Sequence, residues 1–151
     1  MNLNIVLYQL EIPQNTGNIA RTCVLTNSTL HLIKPMGFKI DDKQVKRAGL
    51  DYWSELKLEM HESYEEFMKK YGDKRIFLAT THGGVHYDEV SFKEGDFIMF
   101  GRESSGVPEE VHNSHEGIRV PMIKTSTRSL NLSNTVAIVA YEALRQIGFP
   151  E

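Results

Sequence analysis

The feature that most constrains the fold is an alternation of short apolar runs with segments of helical periodicity. Residues 3–8 form a run rich in branched side chains, and the apolar residues Ile19, Cys23 and Val24 then recur at helical spacing. Because this strand-then-helix order repeats along the chain, it predicts an α/β fold, a mostly parallel sheet with helices on both faces. Functional loops in such sheets lie at the carboxyl ends of the strands.

The other predicted elements follow the same rules of periodicity and capping. Strands are predicted at residues 30–33, 56–60, 75–80, 96–100 and 118–121, and helices at 15–27 and 41–48. Ser63 and Glu66 form a capping box that opens a further helix, which Gly72 ends. An apolar stripe predicts the longest helix over residues 131–147, ended by Gly148 and Pro150. A chain of 151 residues without internal repeats is expected to form a single domain.

The charge of the chain limits its contacts with nucleic acid to a local patch. The net charge is −3, which gives no general attraction to a polyanion and argues against non-specific coating of DNA. The candidate basic patch comprises Lys34, Lys39, Lys43, Lys46, Arg47, Lys124 and Arg128. A solvated helix face is the alternative interpretation of this patch.

The lack of targeting and membrane-spanning segments, and the cysteine and histidine content, argue against a secreted, a membrane-spanning or a zinc-binding protein. The first eight residues lack the features of a secretory signal, and no stretch of about 18 apolar residues is present, so a cytoplasmic protein without a membrane partner is expected. The single cysteine, Cys23, is expected in the core. No metal is expected, because the histidines lack the partner residues of a zinc site and are interpreted as exposed loop residues: His82, His86, His112 and His115.

Three loops concentrate residues that a packed core does not need. They cover residues 13–21, 101–108 and 126–134, and each leads into a predicted helix. Donors at helix N-termini suit anionic or carbonyl-rich ligands, and glycines let a ligand approach the backbone. Neither the dinucleotide-binding glycine motif nor the P-loop motif occurs, and the glycine spacing does not match a hydrolase nucleophile elbow.

Together the loops resemble the three signature motifs of the SPOUT methyltransferase superfamily. The motifs read N-T-G-N-I-A-R at residues 15–21, F-G-R-E-S-S-G-V-P at 100–108 and R-S-L-N-L-S-N-T-V-A-I-V-A-Y-E at 128–142. With K-P-M-G-F at 34–38 and R-A-G-L-D-Y-W at 47–53, nearly the whole chain is similar to the minimal tRNA (cytidine/uridine-2′-O)-methyltransferases that modify the wobble nucleotide. The second motif departs from the family pattern at Arg102, where proline is common.

This resemblance implies a fold, a cofactor and partners. It implies a trefoil knot formed by the carboxyl-terminal segment, a homodimer, and a tRNA substrate that includes leucine isoacceptors. The implied methyl donor is S-adenosylmethionine, with S-adenosylhomocysteine as product. The residues implied to hold it are Ala79, Thr80, Gly101, Val120, Met122, Ser129 and Leu130. The apolar members Val120, Met122 and Leu130 suit a flat adenine ring, with ordinary core packing as the alternative.

The resemblance also implies roles for polar residues. Arg21 is expected to assist removal of the hydroxyl proton by binding the adjacent phosphate, since arginine is too basic to act as a general base. A surface salt bridge is the alternative role for Arg21. Asn15 and Glu103 are expected to position loops or substrate, and Tyr141 either reaches the active site of a neighbouring subunit or packs within an amphipathic helix.

The expected RNA contacts are Lys43, Arg47, Arg128 and Asn131. Arg128, Asn131 and Asn134 are also expected to shape the third loop, and helix caps and turns are the alternative role for these three. Two other functions compete with wobble methylation. One is ribose methylation elsewhere in tRNA or in rRNA, and the other is a knotted module that binds RNA without catalysis.

Overall fold

The protein folds around one parallel sheet. The structure, a computed structural model, describes residues 3–39, 43, 47, 50–123 and 130–151. Within these ranges the strands are β1 (Asn4–Tyr8), β2 (Thr29–Ile33), β3 (Lys57–His61), β4 (Ile76–Ala79), β5 (Val85–His86), β6 (Phe97–Phe100) and β7 (Glu116–Arg119). Their order is β3-β2-β1-β6-β4-β7-β5, and each neighbouring pair is parallel. The predicted parallel α/β class is therefore confirmed.

Helices cover both faces of the sheet. In the described part of the chain they are α1 (Pro13–Leu25), α2 (Tyr64–Tyr71), α3 (Glu109–Asn113) and α4 (Leu132–Ile147), with a 3-10 helix at Leu50–Glu55. As predicted, the Ser63 hydroxyl caps α2 by accepting from the Glu66 amide at 3.1 Å. None of the described helices has both the length and the apolarity to cross a membrane.

Several predicted bounds differ from the structure. The strand predicted at residues 118–121 lies two residues earlier, because the pairing of β7 with β4 runs from Phe77–Glu116 to Ala79–Ile118. The sequence patterns did not indicate β5, α3 or the 3-10 helix, which are too short to show a period. Most of the helix predicted at residues 41–48, and the segment 124–129 that bears on the predicted knot, lie outside the described residues.

The central strand β1 explains how the two faces are built. All five of its residues are buried, so alternate side chains supply two cores. Ile5 and Leu7 point into a core shared with α1 and α4. Val6 and Tyr8 point into a second core covered by α2 and α3. Cys23 is fully buried in the first core, as predicted, and burial raises the pKa of its thiol.

A buried hydrogen-bonded chain of side chains joins β1, β2 and β3 on the face of the sheet that carries the second core. The side-chain nitrogen of Asn4, Nδ2, donates to the Gly95 carbonyl at 3.1 Å. The Asn4 Oδ1 therefore faces His31 Nε2, at 2.9 Å. His31 must therefore carry a proton on Nε2, and its Nδ1 accepts from His61 Nε2 at 3.1 Å. Burial lowers the pKa of His31 to about 4, against an opposing effect of the Glu59 carboxylate.

The buried, hydrogen-bonded side chains of His31 and His61 predict that the protein loses stability in acid. The unfolded protein takes up protons at His31 and His61 below pH about 6.5, whereas burial lowers both pKa values in the folded state. The free energy of unfolding should therefore fall as the pH drops from about 6.5 towards 4. Denaturant unfolding at several pH values measures this slope. The His31→Gln variant cannot titrate there and should show a shallower slope; an unchanged slope contradicts the assignment.

Candidate functional site

The carboxyl ends of four neighbouring strands meet at one edge of the sheet. Phe100 at the end of β6 is in register with Leu7 of β1 and with Ala79 of β4, and Ala79 is in register with Ile118 of β7. The chain segments that leave these strands therefore start side by side. They include the second loop singled out in the sequence, residues 101–108. The prediction of a loop at residues 13–21 was wrong, because α1 already begins at Pro13 and includes all of these residues.

Glu103 of the second loop binds the start of α1. Its carboxylate accepts hydrogen bonds from the amides of Glu11 at 2.8 Å and Ile12 at 3.0 Å, and from the Asn15 side-chain amide at 3.1 Å. Asn15 is buried, with 4% of its surface exposed. Asn15 and Glu103, which were expected to position loops or substrate, are in direct contact in the structure.

This contact replaces a local helix cap. The residue before α1, Ile12, has no side-chain acceptor, and the first turn of α1 contains no acidic residue. A helix N-terminus carries unpaired amides and a partial positive charge, so a carboxylate is stabilised there. Glu103, about 90 residues away in the chain, provides that carboxylate.

The second loop is closed by its own backbone. The amides of Arg102 and Gly106 each donate to the other residue's carbonyl at 3.0 Å, and Gly106 has a φ of +64°. A Cβ at Gly101 would lie 2.7 Å from the Gly106 carbonyl carbon, so glycine is needed at 101 for loop closure. The family's common proline could not donate the amide hydrogen bond of Arg102, whose guanidinium also lies over the Tyr8 ring at 5.4 Å.

Four residues predicted to hold the cofactor lie at this sheet edge, all partly exposed: Ala79, Thr80, Gly101 and Val120. The Thr80 amide donates to the Ile118 carbonyl at 2.8 Å, which keeps the two chain segments together beyond the strands. Met122 and Leu130 are 38% and 40% exposed, and Ser129 lies outside the described residues. Apolar side chains left in solvent beside main-chain polar groups fit the requirements of an adenosine group.

Two histidines beside Thr80 correct the interpretation of the sequence. The rings of His82 and His112 are stacked with centroids 5.0 Å apart, and His112 Nε2 lies 3.5 Å from the Thr80 hydroxyl. Expecting only exposed loop residues was wrong for His86, His112 and His115. His86 lies in β5 and His112 in α3, both half-buried, and burial lowers the pKa of His115.

Arg21 lies on α1 and Tyr141 on α4, and these two helices are neighbours. An exposed apolar patch lies where the carboxyl end of α1 meets α4 and the residues that follow it. On α1, Arg21 and Leu25 are exposed and one helical turn apart. Leu25, Tyr141 and Phe149 are 58%, 48% and 53% exposed and line one shallow depression. We call these three residues the helix-face patch. Its position places Arg21 one turn from an unpartnered apolar surface.

The predicted RNA-contacting residues occupy different environments. Lys43 and Arg47 are exposed on helical backbone, and Lys39 is exposed nearby in sequence. Lys34 forms an ion pair with Glu62 at 3.0 Å. Asn131 caps α4, because its Oδ1 accepts from the Ser133 amide at 2.9 Å, which is the alternative role considered for it. Arg128 lies outside the described residues.

Sequence reasoning missed Glu11 and the use of Ser104. The Glu11 carboxylate accepts from the Ser104 amide at 3.0 Å and from its hydroxyl at 2.8 Å. The only local signal was an acidic residue two positions before a helix that starts with proline. Nothing in the sequence indicated that its partner would be in another loop.

Comparisons with known proteins agree with this geometry. Residues 2–141 match the model of the SpoU rRNA methylase family. A tRNA (cytidine(34)-2′-O)-methyltransferase of Escherichia coli (strain K12) is 47% identical over 151 residues, which cover 98% of this chain and 96% of that protein. A solved structure described as giving structural insights into the 2-OH methylation of C/U34 on tRNA superposes with a TM-score of 0.92 at 45% identity, covering 95% of each chain.

A more distant neighbour shares the fold alone. The SpoU methyltransferase AviRb from Streptomyces viridochromogenes, solved in complex with AdoMet, is 20% identical with a TM-score of 0.85. The match covers 95% of this chain and 59% of AviRb. The sheet and its helices thus persist where most side chains differ.

Thr16, in the first loop motif, provides a test of the site's packing. Its hydroxyl is fully buried and has no hydrogen-bond partner among the described residues. A buried hydroxyl without a partner costs about 1–3 kcal/mol. Thr16→Val should therefore leave the free energy of unfolding unchanged or raise it by about 1 kcal/mol. Thr16→Ser is the matched control; a clear loss of stability in Thr16→Val alone would show that the hydroxyl is bonded.

Proposed function

The chain belongs to the SpoU rRNA methylase family, and from that premise we propose that it methylates the ribose 2′-hydroxyl of nucleotide 34, the wobble nucleotide, of tRNA with S-adenosylmethionine as donor. The observation that carries the proposal is the joining of the first two loop motifs at one sheet edge by Glu103. The similarity to the E. coli enzyme over 98% of this chain supports the choice of substrate.

The edge formed by β4, β6 and β7 is the proposed donor site. Ala79, Thr80, Gly101 and Val120 offer main-chain groups there, and the exposed side chains of Met122 and Leu130 offer apolar surface to the adenine. When bound, S-adenosylmethionine supplies a methyl group already activated by the positive sulfur. Transfer to a hydroxyl therefore needs orientation and removal of one proton, and we propose that no metal takes part.

Arg21 is the proposed catalytic residue. Its guanidinium binds a phosphate next to the reacting ribose and stabilises negative charge as the 2′-oxygen loses its proton. The proton passes to the phosphate or to a neighbouring acceptor. Asn15 and Glu103 hold the start of the helix that carries Arg21, so their role in this proposal is positioning.

A second copy of the chain is the proposed partner at the helix-face patch. Three large apolar side chains exposed together on one surface, Leu25, Tyr141 and Phe149, are typical of an association site. Because Arg21 lies one turn from Leu25 on α1, pairing through this patch brings Arg21 close to the other subunit. Tyr141 of one subunit then lies near the Arg21 of the other.

The tRNA is held by the same domain in this proposal. Lys39, Lys43 and Arg47 provide an exposed basic surface, and Arg128 and Asn131 contact the RNA from the third loop. We further propose that the carboxyl-terminal segment forms the trefoil knot of this superfamily, and that the enzyme acts in the cytoplasm, where tRNA is available.

The substrate proposal is tested by mapping the product. Purified protein is incubated with labelled S-adenosylmethionine and total tRNA, and the labelled nucleotide is located. Label on the ribose of nucleotide 34 supports the proposal, and label at another tRNA position or in rRNA selects the competing enzyme function. Donor binding without any transfer selects the non-catalytic module.

Replacing Arg21 should separate catalysis from donor binding. Arg21→Ala is expected to reduce the methylation rate by about 100-fold or more. The affinity for the donor, measured by calorimetry, should stay within about twofold of wild type. The reason is that the proposed donor site lies at the ends of β4, β6 and β7, whereas Arg21 lies on α1. Arg21→Lys keeps the charge without the two-pronged geometry and should be intermediate. The control is Arg75→Ala, at the opposite end of β4; an active Arg21→Ala enzyme contradicts the role.

Charging the helix-face patch should separate the subunits. Leu25→Glu or Phe149→Glu places a carboxylate where apolar surface would be buried, and a buried unpaired charge is costly. Light scattering after size exclusion should show a dimer for wild type and a monomer for these variants. The matched control is Val85→Glu, since Val85 is 41% exposed on the edge strand β5. A monomeric wild type, or dimeric variants, would refute the assignment.

A further inference from the structure

We propose that Glu11 is a positioning residue that completes a two-carboxylate clamp between the start of α1, with the two residues before it, and the second loop. The clamp consists of Glu11, Asn15, Glu103 and Ser104. The inference rests on the proposed function, because the purpose assigned to the clamp is to hold the helix of Arg21 against the loop of Gly101.

The contacts of the clamp are reciprocal. Glu103 of the second loop accepts from the Glu11 amide at 2.8 Å, while Glu11, two residues before α1, accepts from the Ser104 amide at 3.0 Å. The Ser104 hydroxyl lies 2.8 Å and 3.0 Å from the two oxygens of Glu11. The adjacent residues Glu11 and Ile12 thus bind the adjacent residues Glu103 and Ser104. Glu11 and Ser104 are 93 positions apart in the sequence.

The donors stabilise two carboxylates that would otherwise repel each other. The backbone and side-chain hydrogen bonds from Ser104 lower the pKa of Glu11, and Arg102 lowers it further. Glu103 is held by two backbone amides and the Asn15 side chain. Each carboxylate is thus held by donors from the segment opposite it.

The two halves of the clamp have different consequences. The Glu103 half caps α1, so its loss destabilises a helix that packs in the main core. The Glu11 half fixes the second loop, which carries Gly101, and leaves that cap in place. A reacting group misplaced by about 1 Å can cost about 100-fold in rate. Glu11 therefore acts on the distance between the donor site and Arg21 more than on folding.

The experiment compares Glu11→Ala, Glu11→Gln, Ser104→Ala and the Glu11→Ala/Ser104→Ala double variant in the full chain. Backbone hydrogen exchange at residues 101–106 reports on the clamp without any ligand. Calorimetry gives donor affinity, and kcat and KM for tRNA are expressed per donor-binding site. The matched control is Glu62→Ala, which removes another exposed carboxylate that forms one ion pair, with Lys34.

Glu11→Ala is expected to speed exchange in the second loop and to lower kcat by about tenfold or more, with donor affinity within about threefold of wild type. Glu11→Gln should restore most of the rate, because its amide oxygen still accepts from Ser104. The double variant should be no worse than Glu11→Ala, because Glu11→Ala already removes the hydroxyl bonds that Ser104→Ala breaks, together with the bond from the Ser104 amide. Glu62→Ala should resemble wild type throughout.

Unchanged exchange and unchanged kcat in Glu11→Ala would overturn the inference. It would also be overturned if kcat per binding site stayed normal and only the melting temperature fell, because that result describes a purely structural contact. Failure of the proposed function is distinguishable: the wild type itself would then transfer no methyl group, while the exchange data would still report whether the clamp exists.

Discussion

The hydrogen bonds of the Glu103 carboxylate to the start of α1 are the interaction on which the site depends. Ile12, the residue before the helix, has no side-chain acceptor for the helix amides, and its own amide donates to Glu103. A parallel sheet makes this possible, because β1 and β6 are neighbours and both loops leave the same edge. One set of hydrogen bonds therefore joins the second loop to the start of the helix that carries Arg21.

The second loop illustrates how packing within the chain and ligand binding make similar demands on a sequence. Glycine at 101 looks like an opening for a ligand, but the nearest obstruction to a Cβ is the carbonyl carbon of Gly106. The loop turns back on itself there and exposes its remaining main-chain groups at the sheet edge. The same glycine thus serves loop closure directly and the proposed donor site indirectly.

The helices α1 and α4 connect the core to the proposed assembly. Their inner faces, including Ile19, Cys23 and Val139, belong to the main core. Their outer faces carry Arg21, Leu25 and Tyr141, and Phe149, the third residue of the helix-face patch, follows the end of α4. Because one rigid helix bears both a buried face and the proposed catalytic side chain, assembly and catalysis share a support. A second subunit placed on the patch would lie close to the reacting groups.

The sequence by itself determined the fold class, most element positions and the family. Strand and helix periodicities fix which residues are buried, and the resemblance to SPOUT methyltransferases is confirmed by the family match over residues 2–141. Only the tertiary structure decided which distant residues form hydrogen bonds with each other: Glu11 with Ser104, Asn15 with Glu103, and His31 with His61. Such pairs are distant in the chain, and their donors and acceptors meet only when parallel pairing sets the register, which local pattern does not encode.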